Sequence, residues 1–333
     1  MAHELENFNG RTAFVTARRH AWHQLGTVLP EEFNAAQAMQ HAMLGGWDVR
    51  KEPLQAVALN ADGVHTIPVP GKFATVRTNP ATGKPEALGV VGDAYRPIQN
   101  EAHADLLDTL VDASGAHFET AGSLKGGRQV FITMKLPNTM TIGGVDQVDT
   151  YLAALNSHDG STAFRLLVTP VRVVCANTQA AAIRRARACF SIQHSAGAKG
   201  RIQAARDALG LTFRHLDAFE AEAEAEKMLA ESMTEAEFVA ITGQLWPIED
   251  TATPRVIANA RQRQNRLAQA FSNDMTNANI RNTRWAGYQA ITEYLDHLAP
   301  VDGKRNAAAV RAERVISGNL TNLKTAAFDL LSV

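Results

Sequence analysis

Asn156-Ser157-His158-Asp159-Gly160-Ser161 stands between two apolar runs, Tyr151 to Leu155 and Phe164 to Val174. A polar, glycine-containing turn between β-alternating segments marks a pair of strands, in which Asn156 and Asp159 can bond their own backbone and Gly160 can take a positive φ. Beyond about Thr178 the alternation stops, and Ala, Glu, Arg and Leu recur at helical spacing. The pattern predicts an α+β fold: an antiparallel sheet with helices over residues 1–190, and a mainly helical domain over 191–333.

Working back from the turn, Phe118 to Leu124 and Val130 to Leu136 predict a hairpin about Gly126-Gly127. Gln99-Asn100-Glu101 opens an amphipathic helix through Leu106, Leu107, Leu110 and Val111, ending near Ser114-Gly115. Phe33 to Leu44 predicts a helix stopped by Gly45-Gly46. Strands are expected at Trp47 to Arg50, Ala56 to Pro68 and Phe73 to Thr78, with a turn over Asn79 to Lys84 and a return at Leu88 to Val91. Working forward, helices are expected over Asn177 to Phe190, Arg201 to Ser232, Glu235 to Gly243, Pro254 to Phe271, Thr283 to His297 and Asn306 to Ser332.

The 333 residues are 45% apolar and 20% charged, an ordinary globular balance for two domains. A net charge of -1 excludes a uniformly basic nucleic-acid coat, so a phosphate site must come from local segregation of charge. Arg165 to Arg214 holds nine Lys/Arg against one acid, Asp207, whereas His215 to Asp250 holds one base, Lys227, against ten acids. Two cysteines, Cys175 and Cys189, make no disulfide framework and fit a reduced, cytoplasmic compartment. The start from Met1 to Phe8 lacks an apolar core, and no eighteen-residue apolar run occurs, so neither a signal peptide nor a membrane span is expected.

Several catalytic templates are missing: there is no G-x-x-x-x-G-K-[ST], H-E-x-x-H or C-x-x-C. His20 and His23 could share a metal on one helix face, but no third ligand is evident, and a packing role for the arm about Trp22 and Leu25 is preferred. His158 and Asp159, with Asp146 and Asp149 upstream, admit three readings. They can form a purely structural turn or a metal-assisted hydrolase site, or, with Ser157, Ser161 and Thr162, they can donate to phosphate oxygens beside Arg165 and Arg172. Cys175 reads as a core thiol, or as a nucleophile if His158 pairs with it. Arg184, Arg185 and Arg187 are candidate backbone contacts, with Lys125 and Arg128 at the Gly126-Gly127 turn able to close the groove. Arg255, Arg261, Arg263, Arg266 and Arg284 form a second basic set, and either set could instead pair with the acidic helix near Glu220 to Glu237.

These residues carry a resemblance. Trp22-His23-Gln24-Leu25-Gly26, the run from Leu88-Gly89-Val90-Val91-Gly92 through Asp93-Ala94-Tyr95-Arg96-Pro97-Ile98-Gln99-Asn100, Ala121 to Gly127, Asn156 to Ser161 and Arg172 to Thr178 resemble, in order, the phage/plasmid-like family of unknown function. Asn282-Thr283, Trp285 and Glu293-Tyr294 with Asp296 extend the match. A fainter similarity, to the Rad-type single-strand annealing proteins, lies in element order. A helix, Gly45-Gly46-Trp47, a Phe73 hairpin with a Gly83-Lys84 turn, Gly89 to Gly92 and the helix from Glu101 to Ala113 follow one another as in their helix–meander–helix core. That resemblance implies a ring-forming protomer that holds single-stranded DNA. His103, Asp105 and Asp108 depart from it, standing where those annealases are rich in Lys and Arg.

The expectation is a cytoplasmic, phage- or plasmid-type recombination protein that binds single-stranded DNA without ATP and anneals it as a homo-oligomer. Arg165, Arg172, Arg184, Arg185 and Arg187 would contact the backbone, with Lys125, Arg128, Ser157 and His158 beside them and Trp47 or Phe73 able to stack a base. No cofactor, metal or catalytic residue is assigned, and no membrane partner. Two alternatives stay open: a metal-dependent nuclease or hydrolase centred on His158 and Asp159, and a non-catalytic assembly or host-interaction protein.

Overall fold

The computed structural model describes residues 5–8, 11–17, 26–60, 63–172, 189–198, 200, 204, 218–301 and 320–332. Four short strands, β1 (Asn7–Phe8), β2 (Arg11–Thr12), β3 (Phe14–Ala17) and β4 (Thr27–Leu29), precede helix α1 (Ala35–His41). α1 starts at Asn34 because Asn34 and Gln37 exchange side-chain-to-backbone hydrogen bonds of 2.9 and 3.0 Å. The exchange satisfies N–H groups that a helix start leaves open.

β5 (Arg50–Asn60), β6 (Gly63–Thr78) and β7 (Pro85–Gly92) form a three-stranded antiparallel meander. The run from Ala56 to Pro68 is not one strand: Asn60 pairs with Gly63, so β5 and β6 are the arms of one long hairpin. The turn formers Asn60 and Gly63 outweigh an alternation that continues on both sides. The following turn is built by Asn79, whose Oδ1 accepts from the Ala81 and Thr82 N–H groups at 2.9 and 3.1 Å.

α2 (Asn100–Ser114) ends on Gly115 in the left-handed region, at φ 68°. β8 (His117–Leu124), β9 (Gln129–Ile142), β10 (Asp146–Ser157), β11 (Phe164–Arg172) and β12 (Cys189–Ile192) complete a seven-stranded sheet of order β12-β11-β10-β9-β8-β3-β4. β3 and β4 run parallel, whereas the β3–β8, β8–β9 and β11–β12 pairs are antiparallel. The strand β12 replaces the end of an expected helix over Asn177 to Phe190. Four residues pairing Phe164 with Ile192 through Leu167 with Cys189 are too short to stand out against the Ala- and Arg-rich residues before them.

The helical half contains α3 (Ala218–Ala230), α4 (Glu235–Leu245), α5 (Pro254–Ser272), α6 (Arg284–Glu293), which runs into a π-turn at Tyr294–Leu298, and α7 (Thr321–Leu331). Side-chain caps fix three of the starts: Thr234 accepts from Glu237, Thr253 from Val256 and Thr283 from Ala286. Among the described residues no helix is long and apolar enough to cross a membrane.

Two compact units result, but no single cut at residue 190 separates them. The described residues of Met1–Lys135, Leu152–Leu167 and Cys189–Phe213 form the first, and those of Leu136–Tyr151, Val168–Ala188 and Arg214–Val333 the second. The tip of the β9–β10 hairpin belongs to the helical unit because it carries core residues. Ile142 and Val148 join the buried cluster of Phe238, Phe271, Trp285 and Tyr288, and the Trp285 indole donates to Asp146 at 2.8 Å. Phe238 stacks on Phe271 with centroids 4.5 Å apart, and the buried Lys324 ammonium donates to both oxygens of Asp296 at 2.6 and 2.8 Å.

In the first unit the distal half of the β5–β6 hairpin is bare. Val57, Leu59 and Val64 share one face of the ribbon by register and are 66%, 80% and 66% exposed.

Candidate nucleic-acid interface

The polar motifs of the first unit turn inward. Gln99, Asn100 and Glu101 each grip the loop that follows α1. The Gln99 amide donates to the Val49 carbonyl at 2.7 Å and accepts from the Val49 N–H at 2.9 Å. Asn100 donates to the Leu44 carbonyl at 2.9 Å, and Glu101 accepts from the Gly46 N–H at 2.8 Å. Held this way, Met43 and Asp48 keep positive φ angles of 55° and 45° that non-glycine residues rarely adopt.

His158 is completely buried, and its Nε2 lies 2.8 Å from Asn100 Oδ1. Because the Asn100 amide nitrogen is committed to Leu44, its oxygen faces the imidazole, and Nε2 carries the proton. Burial, with neighbouring His194, His103 and Arg77 charges adding to it, pushes the His158 pKa down to about 3. The ring is therefore a neutral core donor packed on Trp47, with ring centroids 5.7 Å apart. Burial likewise lowers His103 to about 3 and His194 to about 4. His194 stacks on Tyr95 at 4.7 Å, and the Tyr95 hydroxyl donates to the Ser157 carbonyl at 2.8 Å.

Beside them lies a group that sequence reasoning missed. Arg77 is fully buried in β6, with its guanidinium 4.2 Å from the Trp47 ring centroid. It donates in bidentate fashion to Glu6, and from Nε and Nη2 to Glu86 at 3.0 and 2.7 Å. Burial would lower its pKa, but the hydrogen bonds and charges of the two carboxylates outweigh it and hold the pKa raised. Gly127, at φ 80°, leaves the room: a Cβ there would collide with the Arg77 guanidinium. The cross-strand register of Arg77 with Glu86 about the Asn79 turn is the signal that could have exposed the pair.

The anticipated site residues fall into three groups. Ser157 and His158 are buried, and Ser157 Oγ donates to Asp159 at 2.7 Å, so a strand of nucleic acid on the surface would not reach them. Asp159 accepts from the Ser161 N–H at 2.9 Å, and these bonds, against the opposing effect of its partial burial, keep its carboxyl below the usual range. Trp47 has no exposed face, and Phe73 is covered by the Lys51 ammonium at 4.0 Å. Arg128 is exposed in the β8–β9 turn, Lys125 is half-buried at φ 55° in the same turn, and Arg165 is half-buried on β11. The turn also meets the His158 segment through its backbone, the His158 N–H donating to the Arg128 carbonyl at 2.7 Å. Arg184, Arg185, Arg187, Cys175, His20, His23 and the side chain of Arg172 lie outside the described residues. No group of three or more His, Cys, Asp or Glu side chains placed to hold a metal occurs among the described residues.

The second basic set behaves differently. Arg284 is taken by Glu231 at 2.7 Å, and Arg266 donates to the Leu298 carbonyl at 3.0 Å. Arg255 and Arg261 are exposed on α5, and among the described residues neither has a carboxylate within ion-pairing distance. No acid occurs in sequence between Asp250 and Asp274, so the exposed face of α5 carries cations and no carboxylate. By contrast the exposed face of α2 carries Glu101, Asp105 and Asp108. Midway along α5, Arg263 lies 5.1 Å from the Trp246 ring centroid, beside an open cleft of about 340 Å³.

An α+β protein with an inward-turned polar network and one outward cationic helix is thus defined. Residues 87–325 match the family described as Domain of unknown function (DUF932), and the chain belongs to that family. No curated protein and no solved structure matches it.

Proposed function

We propose that the protein is an ATP-independent single-stranded DNA-binding protein that promotes annealing as a homo-oligomer in phage or plasmid recombination. The observation that carries this reading is the outer face of α5, where Arg255 and Arg261 stand exposed with no carboxylate partner among the described residues. Unpaired surface guanidinium groups are the standard contact for a phosphate backbone, and they bind it with little regard to sequence. The order α1, β5–β6–β7 meander, α2 adds support, since it is the element order of the annealing proteins the chain resembles. The acidic exposed face of α2 disfavours a backbone contact on that helix and supports α5 instead.

The bare end of the β5–β6 hairpin supports the assembly part of this reading. A two-stranded ribbon exposed on both faces is marginal in water, and an uncharged apolar edge invites pairing with another strand. A second copy of the chain is the occupant this reading assigns, because a homo-oligomer presents the same unpaired ribbon from each protomer.

The test is polarisation of labelled single- and double-stranded oligonucleotides across a salt series, with a chelator present. The expected result is single-strand binding that survives chelation and weakens as salt rises. Weak, salt-independent responses to both would remove the proposal.

A further inference from the structure

We infer that the open cleft between the Leu245–Ile248 turn and α5 is a pocket for one unstacked nucleobase of a single strand, with the flanking phosphates on Arg263 and Arg255. The inference rests on the proposed single-strand binding and adds to it a reason for preferring single strands.

The cleft, about 340 Å³, is within the size range of small-ligand sites. Its walls are apolar: Trp246, Pro247, Ile248 and Val256, the last two each left 50% exposed. Its rim is polar. The exposed side-chain amide of Asn259 has no hydrogen-bond partner among the described residues, and Arg263 holds its guanidinium by the Trp246 ring. A base offers the matching surfaces, a flat π-face for the walls and an edge of donors and acceptors for an amide. An aliphatic ligand would leave Asn259 and Arg263 unanswered.

Helical spacing aligns the charges with the pocket. Arg255, Asn259 and Arg263 sit at i, i+4 and i+8, so they share one side of α5, and the two arginines are about 12 Å apart along the axis. The turn before α5 also carries the exposed acids Glu249 and Asp250, which repel a phosphate on that side and favour a backbone path along the helix. A base in a duplex is stacked on both faces and must be extruded before it can enter such a pocket. The same cleft therefore selects single strands.

The experiment compares an oligothymidylate with a strand of equal length and charge made of abasic units, both titrated into the full chain at one salt concentration. Wild type is expected to bind the abasic strand about 5- to 150-fold more weakly, the range that one base–aromatic stack supplies. Trp246→Leu keeps apolar bulk against Tyr294, which the indole meets edge-on, and is expected to lower thymidylate affinity to the abasic level while leaving abasic binding unchanged. Equal affinity of wild type for the two strands overturns the pocket and leaves the proposed DNA binding standing. No binding of either strand overturns the DNA reading itself. Should Trp246→Leu fail to fold, the wild-type comparison still decides.

Discussion

Replacing Arg77 by methionine tests whether the polar core of the first unit is held by charge. Arg77 is fully buried and Glu6 is 7% exposed, so Arg77→Met strands a carboxylate whose remaining side-chain donor is the Ser123 hydroxyl at 2.8 Å. Breaking a buried pair by removing one partner costs about 3–5 kcal/mol. Glu86, at 43% exposure, rehydrates, and its loss adds about 1 kcal/mol or less. Methionine refills much of the space against Trp47, so the cavity contribution is small. Against a total of about 5–15 kcal/mol for a domain, and a urea slope of about 2 kcal/mol per molar, the unfolding midpoint falls by roughly 1.5 to 3 M. Urea unfolding followed by tryptophan fluorescence reads the shift, and hydrogen exchange over β6 and β8 assigns it to this unit. Glu6→Gln added to Arg77→Met removes the stranded charge and is expected to restore part of the loss. A midpoint change under about 0.5 M, or a double variant no more stable than the single one, would refute the reasoning.

Two further outcomes follow from the same structure. His103 and His158 at about 3 and His194 at about 4 lie below the usual histidine value of about 6.5. Between those limits the unfolded chain binds more protons than the folded one, so stability is full above pH 6.5 and falls as the pH drops toward 4. The slope approaches about 1.4 kcal/mol per pH unit for each histidine, and urea midpoints at pH 7 and pH 5 check it; equal midpoints contradict the buried neutral rings. Leu59→Asp, at the most exposed large apolar side chain of the β5–β6 ribbon, is expected to shift the assembly toward monomer in sedimentation without lowering thermal stability. An unchanged oligomer would place the contact elsewhere.

What the sequence made legible depended on how local each signal was. The end of α2 at Gly115 and the Asn79–Lys84 turn are written in neighbouring residues, and the structure follows them. The break at Asn60–Gly63 was hidden because the alternation on either side continues in phase, and β12 because four residues carry too little periodicity. The Asn156–Ser161 run was visible as a turn, but not its direction. Whether His158 faces water or core is decided by Asn100, Trp47 and Arg77, which lie 58, 111 and 81 residues away in sequence. Arg77 itself reads as one polar residue in a strand until its partners Glu6 and Glu86 are brought together by the fold. The second basic set was visible by composition, and only its lack of carboxylate partners at Arg255 and Arg261 required the structure.

The salt dependence of single-strand binding, compared between wild type and Arg255→Ala/Arg261→Ala, decides whether α5 holds the phosphate backbone. Each phosphate neutralised on a single strand contributes about 0.7 to the slope of log affinity against log salt. Wild type is expected to bind, with a slope shallower by about 1.4 in the double variant. Identical slopes for the two proteins, or no single-strand binding by wild type at low salt, would contradict it.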